Sequence, residues 1–156
     1  MKIHFSTYLV VLLLLMIGTS ACKQKKTVNA ENREQVLTEA NTLYYNRDFK
    51  SAVLLFDMLV EEDSLNGESF YKRAYCKAQM FNHESAKKDY HKAVKFNYRI
   101  ADAYLSLGIL EYITNDSLAV KYFDQVLSID STNIKAKTLR TQAIKRLNLL
   151  NSKKVV

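Results

Sequence analysis

A chain of 156 residues, 48% of them hydrophobic, is long enough for one modest core or a short array. It has no proline, no tryptophan and three glycines, a turn-poor composition that excludes a β-sandwich or barrel and favours helices joined by short polar loops. Ten tyrosines and seven phenylalanines exclude a disordered chain. The formal charge of +7 is spread over "CKQKK" near the N-terminus and residues 135–154, with no nucleic-acid recognition motif beside it. A solvated basic helix face is expected, and no nucleic-acid partner.

The N-terminus is read apart from the fold. "MKIH" is a short positive start, Tyr8–Ile17 is an apolar run of ten, and "GTSAC" follows with small residues. Those are the three regions of a secretory signal. The run falls short of the ~18 apolar residues expected of a spanning helix. "TSAC" resembles the lipobox of bacterial lipoproteins, although Thr19 stands where that family prefers leucine. The resemblance implies a signal peptide over 1–21 and lipidation of Cys22 with acyl chains such as palmitate. More than one chain is needed for stable attachment. An uncleaved anchor and an ordinary signal with an incidental cysteine are the competing readings. Residues 22–32 then form a short basic linker whose lysines favour anionic headgroups. With Cys22 acylated, Cys76 has no disulfide partner and is expected to be a small buried hydrophobe.

From residue 33 onward the sequence repeats. Ala40, Ala74 and Gly108 are 34 residues apart, as are Val36, Phe70 and Tyr104. Ala52, Ala86 and Ala119 step by 34 and 33, followed by Phe56, Tyr90 and Phe123. The lost residue falls in the turn around "TNDS", where deletions are tolerated. Within each copy the first set puts a large and a small residue four apart on one helix face. The second set runs i, i+4, i+7. Asn, Asp and Ser between the two sets are suited to cap helix starts. Each copy therefore reads as a helix–turn–helix hairpin that must stack on a neighbour to bury its face.

These residues resemble tetratricopeptide repeats. Leu107–Gly108, Ala119, Phe123 and "VLSIDSTN" fit the family pattern in the third copy, and "FYKRAYCKAQMFNHESAKKDYHKAV" fits a common variant. Ser64, Tyr98 and Ser131 replace the usual proline at the repeat ends. The resemblance implies an all-α, right-handed solenoid of about three hairpins, near 33–66, 67–100 and 101–133. A capping helix over 134–150 and a tail over 151–156 complete it.

No catalytic or metal chemistry is legible. His83 and His91 are eight residues apart, ~12 Å along a helix, too far to converge on one ion as i, i+4 histidines do. His83, Glu84, Asp89 and His91 are expected on solvated faces. The serines sit in turns, and no carboxylate pair is constrained for acid–base work. The chain is read as no enzyme, with no metal and no cofactor.

The family's inward-facing positions imply a partner-binding groove of Asn41, Tyr44, Tyr45, Tyr71, Tyr75, Gln79, Leu105, Ile109 and Tyr112. Tyrosine offers contact area at small entropic cost. The competing reading packs these rings between helices. The family's clamp for a terminal carboxylate is mostly missing, since only Asn41 matches and Asp102 reverses the charge. The function expected is an exported, lipid-anchored adaptor for an envelope protein or peptide, held to the membrane by its anchor. Lys23 after the cysteine resembles lipoproteins of the outer membrane facing the periplasm. Self-association as a structural envelope lipoprotein is the first alternative, and an enzyme with an unrecognised site the second.

Overall fold

A computed structural model describes residues 28–29 and 31–153. The expected leader 1–21, Cys22 and the last three residues lie outside the described residues. Among the described residues seven helices follow one another: α1 (Arg33–Tyr45), α2 (Phe49–Glu62), α3 (Gly67–Gln79), α4 (His83–Lys95), α5 (Ile100–Glu111), α6 (Asp116–Ile129) and α7 (Ile134–Ser152). Among the described residues there is no strand, and no helix is long and apolar enough to cross a membrane.

The punctuation of the helices is written locally. Asp48, Asn66, Asn115 and Asn133 each accept a hydrogen bond from the backbone N–H three residues on, at the starts of α2, α3, α6 and α7. That satisfies a donor the helix leaves free. α1, α3 and α4 end with Arg47, Phe81 and Asn97 at positive φ. After each, the next N–H reaches back five residues: Asp48 to Leu43, Asn82 to Lys77 and Tyr98 to Ala93. This is the left-handed helix stop usually given to glycine. Phe81, with φ 60°, is an unusual occupant because its Cβ crowds the backbone there.

The substantial helix contacts are all between consecutive helices, and short loops make such neighbours antiparallel. The register of small and aromatic residues is what packs them. Ala40, Ala52, Ala74, Ala86 and Ala119 are fully buried, and Phe56, Tyr90 and Phe123 fill the space beside them. Cys76 of α3 joins the cluster of α1 and α2. Ala103 and Leu107 of α5 join that of α3 and α4, and Ala136 of α7 joins that of α6. Each pair is thus closed by the helix that follows it, in three successive clusters along the array.

Charged groups also bridge the helices. Asp89 of α4, expected on a solvated face, is buried, with 3% exposed. Arg73 of α3 grips both its carboxylate oxygens at 2.6 and 2.7 Å, Lys77 donates at 2.8 Å, and Arg73 also reaches Asp57 of α2 at 2.8 Å. Asp89 is on the inner side of its helix because α3 offers two cations there, which the spacing of α4 alone does not reveal. Cys76 is fully buried, and burial pushes its thiol up to about 12.

Candidate functional site

The first helices of successive pairs, α3 and α5, face one another across an open groove of about 400 Å³. Its wall from α3 carries Tyr71, Tyr75, Ala78 and Gln79, and its wall from α5 carries Asp102, Leu105, Ser106, Ile109 and Leu110. Tyr90 of α4 and Lys135, in the first turn of α7, complete the lining. The repeat puts these residues on one side because the opposite faces of α3 and α5 hold the core alanines and Gly108.

Five of the nine groove residues expected from the sequence come together here: Tyr71, Tyr75, Gln79, Leu105 and Ile109. Tyr71 lines the groove as a packed ring. It is 7% exposed, edge-on to Tyr90 at 5.6 Å and tilted against Tyr98 at 5.8 Å. The loop before α5 folds over it, and burial raises its hydroxyl above the ordinary tyrosine range.

The other four lie outside the groove. Asn41 accepts from Lys72 Nζ at 2.7 Å, and Lys72 also meets Glu68 at 2.6 Å. The one residue that matches the family's carboxylate clamp is therefore already engaged. Tyr44 packs edge-on to Phe56 and against Tyr75 at 5.3 Å, and burial pushes its hydroxyl up to about 12. Tyr45 is 72% exposed at the end of α1. Tyr112 serves the chain itself: its hydroxyl donates to Gln142 at 2.7 Å, and the Arg146 guanidinium lies 3.9 Å from its ring centre. Arg146 also donates to the Tyr112 carbonyl and to Asp116, which ties α7 to the turn between α5 and α6.

Tyr90, Leu110 and Lys135 were missed as groove residues. Tyr90 occupies the position of Phe56 and Phe123, so periodicity assigns it to the core. Its hydroxyl was the available signal, since a buried tyrosine carries a polar tip that needs a partner. Lys135 had no such signal, because only the placement of α7 brings it to the groove. Among the described residues no three His, Cys, Asp or Glu side chains could hold a metal ion. His91 instead lies 3.2 Å from the Tyr122 hydroxyl.

No protein-family model and no curated protein matches the sequence. Solved structures match the fold. The P58(IPK) TPR domain aligns with a TM-score of 0.75 at 18% identity, over 80% of this chain and 35% of its own. The tetratricopeptide fold is shown. The first TPR of Spaghetti (RPAP3), solved bound to the HSP90 peptide SRMEEVD, gives 0.69 at 18% identity over 78% of this chain and 97% of its own. The TPR domain of Arabidopsis OM64 gives 0.67 at 20% identity, over 74% and 97%. At these identities the likeness is one of architecture, and chemistry rests on the residues of the groove.

Proposed function

We propose that this tetratricopeptide chain is a non-enzymatic adaptor that holds an extended peptide or a partner helix in the groove between α3 and α5. The observation that carries the reading is the groove itself, about 400 Å³ of open space walled by tyrosine and aliphatic side chains with a few polar groups among them. Such a surface binds by shape and apolar contact while its hydroxyls fix orientation. The similar Spaghetti domain, solved with a peptide bound, supports the same use of the fold. The finer architecture proposed is a right-handed solenoid of three hairpins, α1–α2, α3–α4 and α5–α6, with α7 as the cap.

The setting proposed is a bacterial cell envelope. Cys22, in "TSAC" after an apolar run, would be acylated and fix the array to the outer membrane, facing the periplasm. The test is photocrosslinking from native envelopes with a probe at Gln79, comparing the wild type with Ile109→Glu. Ile109 is 36% exposed, so the charge can enter the groove without entering the core. A partner captured by the wild type and lost by Ile109→Glu is the expected result. Partners unchanged by the substitution would move binding off the groove. Labelling with radioactive palmitate, lost in Cys22→Ser, is expected for the anchor; label retained in that variant would sink it.

A further inference from the structure

One charged contact at the groove is poorly placed by every local criterion. Arg99 stands at the N-cap of α5 with φ 43° and ψ 50°, and no side chain caps that helix start. Left-handed backbone is costly for a residue with a Cβ. A cation at a helix N-terminus also opposes the dipole. Yet the side chain is held: Nε meets Asp102 at 2.8 Å, and the guanidinium carbon lies 5.1 Å from the centre of the Tyr71 ring. Both Tyr71 and Asp102 line the groove. The neighbouring copy repeats the chemistry one step earlier, where Glu68 and the Tyr44 ring hold Lys72 at 2.6 Å and 6.0 Å. There the cation is 8% exposed and well embedded. The Arg99 side chain, by contrast, is 54% exposed and the Asp102 side chain 47%, so that ion pair stands open to solvent and ligand, with the Arg99 guanidinium lying over the buried Tyr71 ring.

We propose that the Tyr71–Asp102 pair is a receptor for an arginine of the bound partner, and that Arg99 occupies it as a displaceable internal stand-in. The occupant is an extended peptide with one arginine at this end and apolar side chains for Tyr75, Leu105 and Ile109. Planar guanidinium suits the site because it stacks on a ring and donates to a carboxylate at once, which an ammonium cannot do as well. Lys135 in the groove lining disfavours a second cation, so a single arginine rather than a polybasic tract fits. This proposal rests on the groove reading above and adds the partner's charge to it.

The test uses the full chain, purified in a non-ionic detergent, and three labelled decapeptides of leucine and tyrosine. They carry arginine, neutral citrulline or glutamate at one central position. Fluorescence anisotropy is expected to rank arginine first, with the preference weakening as salt rises. Arg99→Gly, which suits φ 43°, should tighten the arginine peptide about three- to tenfold and leave the citrulline peptide unchanged. Asp102→Asn should erase the preference. If Arg99→Gly fails to fold, Arg99→Gln reports the same vacancy. Citrulline or glutamate peptides that bind as well as arginine, and lose binding in Ile109→Glu, would overturn the arginine receptor while leaving the groove reading intact. Binding of all three that ignores Ile109→Glu, or no binding at all, would overturn both.

Discussion

The Cβ that Gly108 lacks would stand 2.6 Å from Cε1 and 2.8 Å from Cδ1 of Phe123. The Phe123 ring is fully buried and also meets Tyr112 edge-on, so it has no room to withdraw. Gly108→Leu is therefore expected to destabilise the fold by about 1–3 kcal/mol through overpacking between α5 and α6. Thermal unfolding measures it, and pairing the substitution with Phe123→Ala should recover part of the loss. A melting midpoint equal to that of the wild type would mean α5 and α6 do not approach this closely.

Two arginine–aspartate pairs span the same sixteen residues, Arg73–Asp57 and Arg140–Asp124, and burial separates them. Arg73 also serves Asp89, with side chains 12% and 4% exposed, whereas Arg140 and Asp124 are 39% and 47% exposed. Asp89→Ala, which strands Arg73 and Lys77 of their shared carboxylate, should cost about 3 kcal/mol. Arg140→Ala should cost no more than about 0.5 kcal/mol, as exposed pairs do. Urea denaturation of the two variants reads the difference, and equal losses would contradict the burial of Asp89.

Phe81 holds a left-handed helix stop at φ 60° with 83% of its surface exposed. Its ring contact is with His83, edge-on at 5.9 Å. Phe81→Gly removes the crowded Cβ and little packing, so a gain of about 1 kcal/mol is expected. A lower denaturation midpoint would show that the ring contributes packing that outweighs the backbone relief.

Burial holds the Cys76 thiol up to about 12 and the Tyr44 hydroxyl up to about 12, and raises Tyr90 further. Unfolding returns them to about 8.5 and 10. Above about pH 8.5 the unfolded chain therefore releases protons that the folded chain keeps, and stability falls as pH rises. The decline should begin near pH 8.5 in the wild type and nearer pH 10 in Cys76→Ala, followed by urea midpoints from pH 7 to 11. In a Cys22→Ser background, thiol reagents at pH 8 should label Cys76 only at the rate of unfolding. Rapid labelling of the folded chain would place the thiol at the surface.

The helices, their caps and the stripes of small and aromatic residues were fixed by local spacing. Alanine at 40, 74, 52, 86 and 119 can be read as buried from the 34-residue step because each helix must present one apolar side to a neighbour. Asn66, Asn115 and Asn133 announce helix starts through bonds that span three residues. Tyr75, Leu105 and Ile109, which line the groove, came from the resemblance to tetratricopeptide repeats and not from spacing.

What the register could not decide is which polar or aromatic residue is covered by a helix far along the chain. Tyr71 is closed over by Tyr98 and Arg99, and Tyr112 is claimed by Gln142 and Arg146 of α7. Asp89 is drawn inward by Arg73, and Lys135 is carried to the groove by the seating of α7. A residue's own spacing states which side of its helix it occupies. Burial, charge pairing and access depend on what packs against that side, and only the tertiary structure supplies it.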